Sequence, residues 1–65
     1  MDNYILNLND SEIKELTKNI DSQKLCLLMM VLAEPAQNKI LATMSQEAQS
    51  FLMDDVKKLE TKINA

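Results

Sequence analysis

NDSEIKELTKNIDSQKLCLLMMVLAEP, residues 9–35, decides the fold. Asn9 or Asp10 supplies a short polar side chain able to accept from the free backbone N–H groups of a helix start, and Glu12 stands three residues after Asn9, the spacing of a capping box. Ile13, Leu16 and Ile20 then recur at three and four residues, which is one face of an α-helix and not the alternation of a strand. Glu12, Lys14, Glu15 and Lys18 fall off that stripe, so the helix is expected over Asp10 to about Asn19 with a charged outer face. Asp21 or Ser22 repeats the cap and opens a second helix, about Gln23–Ala33, whose run Leu25–Ala33 is apolar on every face. A helix of that kind belongs inside a protein, and a chain this short has little else to put around it. Glu34-Pro35 opens a third helix, with proline in the first turn where its missing N–H costs nothing.

Upstream, Asp2–Asn7 has room for about one helical turn, with Tyr4, Ile5 and Leu8 as its apolar residues. Downstream, the third helix is expected to reach about Thr43 with Ala36, Ile40 and Leu41 inward. Met44-Ser45 separates it from a fourth, capped by Ser45 and running roughly Gln46–Ile63. Ala48, Phe51, Leu52, Val56, Leu59 and Ile63 are assigned to the inner face of that helix, and Asp54, Asp55, Lys57, Lys58 and Glu60 to the outer. The chain has no glycine and one proline, Pro35, so tight turns at positive φ have only Asn and Asp to use, which disfavours a hairpin-rich fold. The expectation is a single all-α domain over residues 1–65, a compact bundle or short superhelix of about four helices, without linker, low-complexity tract or internal repeat.

Sixty-five residues bury only about 60% of the surface their unfolded chain exposes. Domains this small usually add a disulfide, a metal or a partner. Cys26 is the only cysteine and there is no histidine, which excludes an intrachain disulfide and leaves no zinc-ligand set. Association with another chain, a second copy included, is the staple that remains. Seven lysines, no arginine and ten acids give a net charge of −3. Without a basic face or arginine forks, nucleic-acid binding is not expected. The apolar run Leu25–Ala33 is too short to span a bilayer, and Met1–Leu8 lacks the basic start and apolar centre of a signal peptide. A cytoplasmic protein without membrane insertion is expected, and no cofactor or metal is called for.

Residues Leu8–Leu25, LNDSEIKELTKNIDSQKL, resemble the start of the C-terminal helical domain of the flagellar motor switch family, FliG. The family pattern there reads approximately Leu-Asp-Asp-x-x-Ile-x-x-Leu-Leu-x-x-Val-Asp-x-x-x-Leu. Leu8, Asp10, Ile13, Leu16, Asp21 and Leu25 match it, with Ile20 in place of valine. Without a gap, Thr43-Met44-Ser45-Gln46-Glu47-Ala48 is similar to Asn-Met-Ser-x-Arg-Ala, and Leu52, Asp55 and Val56 fall where the family has Leu…Asp-Leu. MgtE-type magnesium transporters carry a cytosolic helical domain of similar superhelical pattern. The resemblance implies a bacterial, FliG-like interaction module whose partner is a flagellar rotor or stator component. It also implies that the Asp10–Asn19 helix offers charged residues to an oppositely charged stator. The family's arginine two residues after the isoleucine falls at Glu15, a charge reversal, the basic residue of the second helix at Met30, and the arginine of Met-Ser-x-Arg at Glu47. The family's Met-Phe-x-Phe hinge would precede Met1 and its Gly-Pro turn and closing helices would follow Ala65, so the chain resembles a core fragment, either a cut-down paralogue or a stand-alone relative.

Two sets of docking residues follow: Lys14, Glu15, Lys18 and Asp21 as an electrostatic surface, and Leu27, Met30 and Val31 as an apolar one. Pairs such as Glu15–Lys18 are equally the ordinary dress of a solvated helix, where they contribute little. Met29, Met30, Met44 and Met53 suit an adaptable groove or plain core filling, with Met29 and Met44 assigned to the core. No histidine is present to activate Cys26, which is expected to be buried and inert. Asp54-Asp55 point apart on a helix and belong to no loop of EF-hand type, so a metal site is not expected. No nucleophile–base set can be assembled, so the chain is not expected to be an enzyme. The alternative function is a small helical regulator of a cytosolic target unrelated to the motor.

Overall fold

The computed structural model of the chain describes residues 2–64. Five helices follow one another: α1 Asp2–Leu6, α2 Asp10–Asn19, α3 Ser22–Val31, α4 Glu34–Leu41 and α5 Gln46–Asn64. The one-turn segment and the four longer helices lie where the sequence places them, with α3 and α4 each ending two residues sooner than expected. α1 packs on α4 and α3 on α5. The described chain measures 36 × 24 × 19 Å, and α5 alone reaches about 28 Å at 1.5 Å per residue.

Local chemistry sets the helix starts. At α2 the Asn9 side chain accepts from the Glu12 N–H at 2.9 Å while Glu12 Oε1 accepts from the Asn9 N–H at 2.9 Å, the complete capping box. Asp21 caps α3, its Oδ1 accepting from the Lys24 N–H at 2.8 Å. Ser45 Oγ accepts from the Ala48 N–H at 3.2 Å before α5. α4 differs, because its cap residue Ala33 has no side-chain acceptor. α1 serves the other half of the cap: both carboxylate oxygens of Asp2 lie 3.3 Å from the N–H of Ala33 itself, the role that Glu12 plays toward Asn9. At the other end of α1, Lys39 Nζ donates to the Leu6 carbonyl at 2.9 Å. A single turn has too little internal bonding to persist alone, and these two ties to α4 hold it in place.

Helix ends face the opposite problem in a chain without glycine. No described residue has positive φ, so the usual left-handed exit is not used. α2 and α3 leave instead through extended backbone at Ile20 and Leu32. Amide side chains then take up the last carbonyls. Gln37 Nε2 donates to the Met29 carbonyl, and Gln49 Nε2 donates to those of Leu41 at 2.8 Å and Met44 at 3.0 Å. Among the described residues no buried side-chain polar atom lacks a partner.

The core draws on every helix. Ile5, Ile13, Met29 and Ile40 are fully enclosed, one from each of α1 to α4, and Leu52 and Val56 join them from α5. The inner face assigned to α5 needs correction at two positions. Phe51 is 64% exposed and Ile63 is 58% exposed. Neighbours on a helix are about 100° apart, so Phe51 and Leu52 cannot both face α3, and Leu52 is the one in line with Val56 and Leu59. Ile63 lies on the same stripe as Val56 and Leu59 but in the last turn of α5, where it is left exposed.

Candidate protein-docking surfaces

α2 buries Ile13 and half-buries Leu16, Thr17 and Ile20, which turns Lys14, Glu15 and Lys18 together onto the side away from the core. Glu15 is held locally: Asn19 Nδ2 donates to the Glu15 carbonyl at 3.0 Å and lies 3.4 Å from its Oε1. Lys14 and Lys18 are both exposed. Asp21, the fourth expected member, is also exposed, but its Oδ1 is already engaged in capping α3. Asp21→Ala is therefore expected to cost about 1 kcal/mol of stability, read from the midpoint of a urea melt.

α3 turns its apolar residues in all directions, and only part of them meets the core. Leu25, Cys26, Met29 and Leu32 are buried. On the opposite side Leu27 is 44% and Val31 70% exposed, at the i, i+4 spacing of one helix face, flanked by half-buried Leu28 and Met30. Of the three apolar docking residues expected, Leu27 and Val31 are thus open to solvent and Met30 is half-covered.

An open groove of about 390 Å³ runs between the start of α3 and the second half of α5, lined by Ser22, Gln23, Cys26, Asp55, Lys58, Leu59 and Lys62. Cys26 is a free, buried thiol there. Burial pushes its pKa above the ordinary thiol value, and the negative charge of Asp55 adds to the effect. The folded thiol therefore holds its proton to higher pH than the unfolded one. Alkylation by iodoacetamide at pH 8 is expected to be at least about tenfold slower than in the urea-unfolded chain. Because the unfolded thiol ionises first, its contribution to stability is intact below the unfolded pKa and declines above roughly pH 8.5. Asp54 and Asp55 gain no third ligand: no group of three or more metal-ligating side chains occurs among the described residues.

A second groove, about 330 Å³, lies between α1 and α2 and was not legible in the sequence. Its lining is Tyr4, Leu8, Glu12, Glu15, Leu16 and Asn19. The Tyr4–Leu8 spacing of four was the only available signal, and it reads equally as one turn of a buried stripe. Among the described residues no helix is long and apolar enough to cross a membrane.

Comparison with known proteins bears on the whole of this helical array. The family model described as the FliG C-terminal domain matches residues 3–64. No curated protein and no solved structure matches the chain.

Proposed function

Because the chain belongs to the FliG C-terminal domain family, we propose that it is a non-catalytic docking module, acting in the cytoplasm on a component of the flagellar rotor, switch or stator. The observation that supports docking most directly is the uncovered side of α3. Leu27 and Val31 stand in water on the most apolar helix of the chain, where a self-sufficient domain would carry polar residues. In this reading Leu27, Met30 and Val31 form the centre of the contact, and Lys14, Glu15, Lys18 and Asp21 steer the partner and fix its orientation. Charged rims of that kind act on encounter rate and specificity more than on affinity.

The apolar centre and the partner are separable in experiment. Sedimentation velocity at micromolar concentration is expected to show either self-association or saturable binding to an added rotor or stator protein. A monomer that binds neither, and does not take up an apolar dye, would sink the proposal. Glu15, Met30 and Glu47 stand where the family resemblance leads one to expect basic residues. That loss of positive charge favours a second reading, in which the same surface binds a cytosolic target outside the motor. Binding to one purified cytosolic target, with no response to rotor or stator proteins, supports it.

A further inference from the structure

We propose that the groove between α1 and α2 is a separate docking site for a basic amphipathic helix of a partner protein. Its floor is apolar: Leu8 and Leu16 are half-buried and pack on the core, and Tyr4, the only tyrosine, stands 59% exposed at its edge. Both charged residues that line it are acidic, Glu12 and Glu15. Lys14 and Lys18 belong to the same helix but do not line the groove. The site therefore combines an apolar floor with a wall whose charged residues are both acidic, and a complementary occupant brings an apolar side chain and a cation together.

Size and fold select the form of that occupant. At about 330 Å³ the open groove is near the lower limit for small-molecule sites and has room for one or two side chains. All of the described elements are helices, so there is no strand edge to which an extended peptide could add. A segment bound here has to satisfy its own backbone, which a helix does. An apolar residue at i and a lysine or arginine at i+3 or i+4 put both groups on one side of such a helix. The apolar residue rests on Tyr4, Leu8 and Leu16, and the cation sits between the two carboxylates. Each carboxylate keeps its second oxygen for that cation, since Glu12 Oε1 accepts from the Asn9 N–H at 2.9 Å and Glu15 Oε1 lies 3.4 Å from Asn19 Nδ2.

The test uses the full chain, ¹⁵N-labelled, titrated with a synthetic 16-residue amphipathic peptide with leucine at i and lysine at i+4, and with its lysine-to-glutamate counterpart. The lysine peptide is expected to shift the amides of Tyr4, Leu8, Glu15 and Asn19, and the glutamate peptide to leave them unmoved. Glu15→Lys, at an exposed position, is expected to weaken the lysine peptide about tenfold at low salt and about twofold at 0.5 M salt. Tyr4→Ala is expected to weaken it at both. The carrier variant Leu27→Lys/Val31→Lys is expected to bind the peptide normally, which separates this site from the α3 surface. No shift at millimolar peptide, equal response to both peptides, or shifts confined to the Leu27–Val31 face would overturn the proposal.

Discussion

Met29→Ala destabilises the domain by about 2–5 kcal/mol, enough to leave a substantial share of the chain unfolded at room temperature. Met29 is fully enclosed at the point where α3 meets the core, so truncation removes its contacts and leaves a cavity that the surrounding helices refill only partly. A 65-residue domain at ordinary stability per residue has about 3–10 kcal/mol in total, so the loss is comparable with the whole. The flexible thioether allows neighbours to adapt, which favours the lower half of the range. The informative comparison is Val31→Ala, two residues further along the same helix. With Val31 70% exposed, that change is expected to stay within about 0.5 kcal/mol. Urea unfolding followed by circular dichroism measures both. Similar losses at the two positions would mean that α3 does not have the inside and outside described, and a larger loss at Val31 that the two are interchanged.

The contrast between those two residues marks where the sequence could be read and where it could not. Caps are local, and Asn9 with Glu12, Asp21 and Ser45 announced their helices within three residues of chain. The core faces of α2 and α4 were equally plain, because Ile13 stands between charged residues and Ala36 and Ile40 recur at a spacing of four. α3 has no such contrast: its residues are apolar all round, so periodicity could name the helix but not its inner side. Phe51 went astray for a related reason, since two adjacent apolar residues each fit a stripe until the packing partner chooses one. The ties that seat α1 were beyond reach altogether. Asp2 and Ala33 are 31 residues apart, and Lys39 and Leu6 are 33 apart, with no local pattern to join them. The α1–α2 groove depends on how α1 is seated, through those ties and the burial of Ile5, which is why it first emerges in three dimensions.

Replacing Leu27 and Val31 together by lysine is expected to abolish docking at the α3 surface while leaving the fold intact. Both side chains are already open to water, so little burial is lost on the free domain. The last turn of α3 has no basic residue, and a cation at position 31 faces the negative end of the helix dipole, a change that favours the folded state by a few tenths of a kcal/mol. In a complex the same two lysines have to be desolvated against an apolar partner, which costs far more than the contacts they replace. The expected loss is at least about 30-fold in Kd, roughly 2 kcal/mol. The substitution also moves the net charge from −3 to −1, so a neutral pair, Leu27→Gln/Val31→Gln, is needed to separate burial from long-range electrostatics. If burial carries the contact, the glutamine pair weakens binding nearly as much as the lysine pair, and added salt restores neither. If only the lysine pair weakens it and salt restores the affinity, the contact is electrostatic and its centre lies elsewhere, with the Lys14, Glu15 and Lys18 face of α2 the next to test. Unchanged binding by both variants, at unchanged unfolding midpoints, would remove α3 from the interface and with it the strongest physical reason for reading this domain as a docking module.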